Sequence, residues 1–414
     1  MENKNQRKIP DSPSPLMVYR NIKVRFNSLM ERVIKRCNSM LIFEDEADQP
    51  IARRIILRLV RFIGSLALLL QQFPRAEAFD INDPGGRVVY IGTEYGANAF
   101  QELYNNSHDL QPQTLGRFKV WKLSALARKW LSSGAQMVVC EFSPLFPFRF
   151  DTAFVISSPG LIEQEIVLPK NLTDLYERSS FRNVRQKLNR ARRRAEFKSY
   201  FTREKSDFDL YYHKMYLPYI TQRHGKAAAL TSYEGALENF KRGGLVMIKE
   251  DHIPVAGMMI LPKKQTCFGL EAGILDGDEE LIRKEVYTFN LWSVLEWVSH
   301  LSVTRLNMGA ASAWRSNGVF AFKKYWGTRV RRFRTITSNL FYLMENPSGK
   351  FLEQINKKGI ITENRGRFYS VIFTHRPIND DSWLEEELHR AIEDGLSGMV
   401  VVTSDSKNYF DGNF

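Results

Sequence analysis

Three strand-like runs, "GLVMIKE" (Gly244 to Glu250), "IPVAGMMILP" (Ile253 to Pro262) and "TCFGLEAGI" (Thr266 to Ile274), stand in a row with only "DH" and "KKQ" between them. A parallel crossover needs a dozen residues or more, so links this short force an antiparallel meander. The surrounding patterns are helical. "LTDLYERSSFRNVRQKLNRARRRAEF" and "DFDLYYHKMYLPYITQRHG" precede the meander, and "RKEVYTFNLWSVLEWVSHL" follows it. Then come the strand "TRLNMGA", the short helix "GVFAFKKYWG" and the strand "RRFRTITSNLFYL". Residues 170 to about 343 therefore read helix, helix, meander, long helix, strand, short helix, strand.

At 414 residues the chain exceeds one ordinary core, and its 43% apolar content is that of a folded protein. The 59 basic residues outnumber 46 acidic ones, leaving +13, which favours an anionic partner: nucleic acid, anionic lipid or a phosphorylated small molecule. Cys37, Cys140 and Cys267 lie far apart, with no CxxC pair and no His at ligand spacing. A metal site and a disulfide framework are not expected, and a reducing compartment is. The leader "MENKNQRKIPDSPSP" is polar, which reads as a cytoplasmic protein.

Residues 51–73, "IARRIILRLVRFIGSLALLLQQF", qualify that expectation. The uncharged run from Phe62 is too short to span a bilayer. On a helical wheel Arg53, Arg54, Arg58 and Arg61 share one sector, and Ile56, Leu59, Ile63, Leu66 and Leu70 line the other. Such a helix either packs on its own domain with its arginines reaching to water, or lies on the inner membrane face as a peripheral contact.

The expected divisions are a basic helical extension (1–80), a first α/β unit (81–169), a second (170–345) and a C-terminal extension (346–414). In the first unit "RVVYIG" and "AQMVVCEF" read as strands, "ANAFQELYNN" and "KLSALARKWLSSG" as helices, and "DTAFVISSPGLIEQEIVLP" as a hairpin turned by "SSPG". The extension reads as a basic linker, the acidic helix "DSWLEEELHRAIEDGL" and the strand "GMVVVTSD".

GxSxG, Walker, GxGxxG and HExxH patterns are absent. What remains is cationic. Arg178 to Lys205 hold eleven Lys/Arg against two Glu, one-signed charge that a counter-anion would relieve. In "GVFAFKKYWG", Phe322 and Trp326 are spaced to pack inward, Gly327 ends the helix, and Lys323 would point where those aromatics fix it. His224 in "QRHGK" reads as a helix cap or a substrate contact.

The basic helix "FRNVRQKLNRARRR", the hairpin "LVMIKEDHIPVAGMMIL" with "TCFGLEAGI", the strand "RLNMGA" and "GVFAFKKYWG" together resemble the Fem-type and CelD-like branch of the GNAT acyltransferase superfamily. "GVFAFKKYWG" is similar to that branch's FK-x-x-[FW]-G signature. The resemblance implies an α/β (α+β) architecture of tandem GNAT-like folds, with mixed, mainly antiparallel sheets flanked by helices and a diverged first half. It further implies direct acyl transfer to an amine or hydroxyl of a cell-envelope or other anionic acceptor, without a covalent enzyme intermediate. By the same resemblance Lys323 is the signature lysine, with Phe322 and Trp326 beside it, and Arg182 and Arg185 lie near the acceptor. Glu271, at the end of a central strand, is a general base or a buried structural carboxylate. The Arg/Gln-x-x-Gly-x-Gly/Ala loop of simpler GNAT enzymes is replaced by "DGDEELIRKEVYTFN". Helix-start amides assisted by Arg283 and Lys284 are the substitute phosphate site. The donor stays open among acyl-CoA, acyl-carrier protein and aminoacyl-tRNA, and a non-catalytic RNA- or membrane-binding protein is the reading from another class.

Overall fold

The structure is a computed structural model, which describes residues 15–42, 44, 49–72, 76–81, 86–105, 112–145, 154–224, 230–375 and 381–412. The polar leader up to residue 14 lies outside them. Helices α1 (Pro15–Leu41) and α2 (Ile51–Gln72) pair as a hairpin. β1 (Ala76–Ile81), β2 (Val88–Gly92), α3 (Glu94–Asn105), β3 (Gln113–Phe118), α4 (Leu123–Ser132), β4 (Met137–Phe142) and β5 (Phe154–Pro159) follow. β6 (Leu161–Val167) leads to α5 (Leu172–Tyr176), α6 (Arg182–Arg194) and β7 (Lys198–Thr202). Next, α7 (Lys205–Leu210) and α8 (Leu217–His224) are joined by a π-helical stretch, Tyr211–Tyr216, and α9 (Tyr233–Arg242) follows.

The meander forms as its short links require: β8 (Gly244–Glu250), β9 (Ile253–Lys263) and β10 (Thr266–Ile274) pair antiparallel. After it come α10 (Glu279–Arg283), α11 (Val286–Ser299), β11 (Arg305–Ser312), α12 (Gly318–Lys324), β12 (Arg329–Arg332) and β13 (Asn339–Met344). The chain ends with α13 (Gly349–Lys358), β14 (Ile361–Asn364), β15 (Arg367–Phe373), α14 (Asp381–Glu393), β16 (Gly398–Val402) and β17 (Lys407–Asp411).

Three sheets result, ordered β3-β1-β2-β4-β13-β5, β12-β6-β11-β10-β9-β8-β7 and β14-β15-β16-β17. Among the described residues, only β2–β4, β10–β11 and β15–β16 pair in parallel. The architecture is the mixed, mainly antiparallel α/β one that the resemblance implies.

The first two sheets trade strands across the expected division at residue 169. β6 pairs with β11 and β12, while β13 returns to the first sheet between β4 and β5. "SSPG" is therefore not a hairpin turn, and "RRFRTITSNLFYL" is two strands in two sheets. The outward and return crossings touch: Gly160 N–H donates to Ser338 O at 3.0 Å, and a Cβ at Gly160 would sit 2.8 Å from that oxygen. Backbone meets backbone there, which explains the glycine.

Charge holds the exchanged strand in place. On β12, Arg331 donates to Glu165 of β6 at 2.9 and 3.2 Å, and Arg334 just beyond pairs with Glu163 at 3.3 Å. Both glutamates are buried. Arg331 and Arg334 thus pair with buried glutamates of β6, while Arg332 pairs with Glu363 of β14. Two further expectations need correction. Ala76–Ile81, expected to be the end of a helical extension, is a strand, and the supposed basic linker after Met344 holds α13, β14 and β15. "RFYSVIF" is a nearly continuous buried run, whose pattern is hidden by the charged residues around it.

Candidate active site

β10 and β11 pair over only three residues, Thr266↔Arg305, Cys267↔Leu306 and Phe268↔Asn307. Both then slip. β10 shifts register against β9 between Gly269 and Ala272, and β11 shifts against β6 between Asn307 and Ala310. The two parallel strands part, and a cavity of about 430 Å³ opens where they do, lined by Leu270, Glu271 and Ala272 on one side and Met308 on the other. A second cavity of about 230 Å³ adjoins it, sharing Lys187, Thr288 and Phe322.

Lys323 comes to this cleft from α12. Asn317 caps that helix, accepting from the Val319 and Phe320 amides at 3.1 and 3.0 Å, and Gly327 at φ +65° ends the turn after it. Trp326 is 1% exposed and meets the Phe181 ring edge-on at 5.5 Å, so the helix cannot roll. Phe322 is half-buried, packs edge-on against Tyr287 at 5.3 Å and lines both cavities. Lys323 Nζ then donates to the carbonyls of Gly309 and Ala310 at 3.0 and 2.7 Å. Gly309 takes φ +78°, a backbone state that favours glycine, which turns its carbonyl within reach of the amine. Burial pulls the Lys323 ammonium down to about 7, against the attraction of nearby Glu163. Protonated, the group has three N–H donors. Two meet carbonyls, and one remains.

Glu271 stands on the other wall. Thr231 Oγ1 donates to its Oε1 at 2.6 Å, and its Oε2 is buried without a partner among the described residues. The π-helical stretch holds this corner: Tyr211 OH donates to the Glu271 carbonyl at 2.7 Å, and Tyr216 OH accepts from Thr231 N at 2.8 Å. A Cβ at Gly273 would come within 2.5 Å of Tyr216 N, so the helix lies directly on the β10 backbone. From this stretch Tyr211 reaches the β10 backbone, while Tyr212 and Tyr216 hold Thr231, the partner of the Glu271 carboxylate.

The remaining candidates divide. Arg182 is exposed at the first turn of α6. Arg185 donates to the carbonyls of Tyr176 and Arg178 and lies over the Tyr176 ring, closing the end of α5. Of that helix, Lys187 lines both cavities and Arg190 the smaller one, paired with Glu285 at 3.6 and 3.0 Å, and Arg223 of α8 lines the larger cavity as a further cation. Arg283 pairs with Glu279 at 3.0 Å and Lys284 with Glu250 at 2.9 Å, and neither lines the cleft. Glu285 itself is the left-handed N-cap residue of α11, and its carboxylate accepts from Thr288 Oγ1 at 3.2 Å. A carboxylate so placed competes with a phosphate for the start of α11. His224 closes α8, and its side chain lies outside the described residues. Among the described residues no cluster of His, Cys, Asp or Glu is placed to hold a metal.

Sequence reading missed Lys187, Arg190, Tyr216 and Thr231. The first two stand one turn beyond Arg182 and Arg185, on a helix whose every turn is basic, so composition does not distinguish them.

No protein-family model and no curated protein matches the chain. Solved structures do. The C-terminal domain (DUF2156) of a putative lysylphosphatidylglycerol synthetase from Agrobacterium fabrum aligns over 77% of this chain and 92% of its own, at 12% identity and a TM-score of 0.35. FemX aligns over 66% and 84%, at 12% identity and 0.35. A tandem GNAT protein from the clavulanic acid biosynthesis pathway aligns over 69% and 88%, at 10% identity and 0.25. Neither residue roles nor substrates pass from these proteins to this chain.

Proposed function

We propose that the cleft between β10 and β11 transfers an acyl group from an activated ester or thioester to an amine or hydroxyl acceptor. The observation that carries this is the opening of two parallel strands with an ammonium and a carboxylate on facing walls. The donor carbonyl lies between the strands. The acceptor nitrogen or oxygen attacks the carbonyl carbon and gives its proton to Glu271, while the third N–H of Lys323 meets the developing oxyanion. Collapse of the tetrahedral intermediate breaks the ester or thioester bond, and the leaving thiolate or alkoxide takes the proton from Glu271. The rest of the work is positioning.

Lys187 and Arg190 at the mouth, with exposed Arg182, Arg192 and Arg193 on the same helix, suit a donor or acceptor bearing phosphates. Acyl-CoA is the first donor to test. Aminoacyl-tRNA is the second, favoured by the carboxylate of Glu285 where a coenzyme pyrophosphate would otherwise meet a helix start. A peptidoglycan precursor or lipid fits the acceptor role in either case.

The test measures thiol release from acyl-CoAs and deacylation of aminoacyl-tRNAs with pooled amine and hydroxyl acceptors. Wild type consumes one donor class, and Lys323→Ala and Glu271→Gln each lose roughly 100-fold or more while keeping the native circular dichroism. Consumption of neither donor, or full turnover by Lys323→Ala, overturns the reading. Steep salt dependence of donor binding selects tRNA over CoA.

A further inference from the structure

α2 is amphipathic, and of the two readings of residues 51–73 its packing leaves the large apolar side outward. Its buried positions are Leu57, Gly64, Ser65 and Ala67, with Leu57 1% and Ala67 4% exposed. Its large apolar residues form a continuous stripe on the opposite side: Ile55, Leu59, Phe62, Ile63, Leu66 and Leu70. Leu59, Phe62 and Ile63 are 55%, 53% and 51% exposed, and no described residue covers them.

Arg53, Arg54 and Arg58 flank the buried side and stay exposed, and Arg61 is half-buried. Arg54 Nε donates to Gln49 O at 2.7 Å, Arg61 reaches Arg334 O at 3.2 Å, and Arg53 pairs with Glu44 at 3.7 Å. The hairpin is fastened where the chain crosses between its sheets. Asn38 Oδ1 accepts from Ile336 N at 2.7 Å, Ser143 Oγ donates to Ser65 O at 2.8 Å, and Lys263 pairs with Glu44 at 2.8 Å. These contacts fix which side of α2 is presented. Water is a poor partner for a stripe this long, since exposed apolar surface of this extent marks an interaction face.

We propose that α2 lies in the surface of an anionic bilayer, with its apolar stripe below the headgroups and the helix parallel to the membrane. Charge selects this occupant over a second copy of the chain. α1 carries six Lys/Arg and α2 four, against Glu31 alone. Two copies packed through α2 would bring these like charges together, whereas acidic headgroups offset them. Arg32, Lys35 and Arg36 on the paired helix α1 are exposed. No helix among the described residues is long and apolar enough to cross a membrane, so the contact is an interfacial one.

The full chain is tested by flotation with vesicles of phosphatidylcholine alone and of phosphatidylcholine with phosphatidylglycerol. Wild type floats with the anionic vesicles and at least tenfold less with the neutral ones. Leu59→Glu/Phe62→Glu, at exposed positions, loses at least tenfold in bound fraction with an unchanged melting midpoint. A Phe62→Trp variant reports insertion directly, through blue-shifted emission quenched by brominated acyl chains. Wild type that stays with the unbound fraction overturns the proposal, as does indole emission from the Phe62→Trp variant that vesicles leave unmoved. A dimer in sedimentation that the double variant abolishes, without flotation, assigns the stripe to a second copy and overturns it equally. Donor turnover plays no part in these readouts, so the proposal stands or falls apart from the chemistry.

Discussion

Lys323 is the side chain whose surroundings say most about the cleft. Its amine keeps two carbonyls as partners in either protonation state, so losing the charge costs no donor bond to the protein. Burial drives it toward neutrality, and with the folded value near 7 against an ordinary 10.5, both forms are populated near neutral pH. The sign for stability follows from proton counting. Between about pH 7 and 10.5 the unfolded chain holds a proton that the folded chain has shed, so folding becomes more favourable as pH rises through that window. Below pH 7 both states are protonated, and the cost of burying the charge is present in full. Denaturant titrations of wild type and Lys323→Met should therefore diverge with pH. Wild type gains up to ~1.4 kcal/mol per pH unit relative to the variant between pH 7.5 and 10. A pH-independent difference would mean that the buried amine is not perturbed.

At the scale of elements, α12 is held by two unlike devices, an edge-on aromatic contact below and a capped turn at each end. Trp326 is fully enclosed against Phe181, itself in contact with Trp292 at 6.0 Å. Trp326→Ala should cost ~3–5 kcal/mol, read as a lower urea midpoint at unchanged slope. Partial loss of turnover should accompany it, because the cavity left behind lets Lys323 move. An unchanged midpoint would show that α12 is anchored elsewhere. This corner was legible in the sequence, since i, i+4 aromatics followed by glycine are local signals. So was the meander, whose links are too short for any other topology. The exchange of β6 and β13 was not legible, because an alternating strand carries no mark of which sheet will take it. The partners of Arg331 and Arg334 lie more than 160 residues away in Glu165 and Glu163. The wheel of residues 51–73 likewise gave a stripe without saying which side the body would take. Lys187 and Arg190 became distinct from their basic neighbours only once α11 had placed Glu285 beside them.

At the scale of the whole molecule, the C-terminal unit is a buttress of the cleft. Arg315 N and Ser316 N donate to the carbonyls of Gly359 and Lys358 at 2.8 and 3.0 Å, fixing the loop that enters α12. Gly395 lies so close to β12 that a Cβ there would sit 2.0 Å from Thr328 O, and its carbonyl accepts from Val330 N at 3.1 Å. Asp394 stands between these contacts, 5% exposed, accepting from Arg315 at 2.6 Å and from Lys324, the neighbour of Lys323, at 2.8 Å. Arg367 and Asp411 form a pair of similar length, 3.2 Å, but with side chains 62% and 51% exposed. The two pairs separate burial from mere proximity. Removing an exposed partner changes little, because water replaces it and salt already screens it. Removing the buried carboxylate leaves Lys324 and Arg315 facing each other, with Arg315 keeping the more distant Glu387 at 3.8 Å as an acidic partner. Arg367→Ala should thus leave the unfolding midpoint essentially unchanged, whereas Asp394→Ala should lower the unfolding free energy by ~3–5 kcal/mol. A control distinguishes lost charge from lost shape: Lys324→Met in the Asp394→Ala background removes one of the stranded cations and should recover part of the loss. If Asp394→Ala proved as mild as Arg367→Ala, residues 346–411 would be an appendage and not part of what holds Lys323 at the cleft.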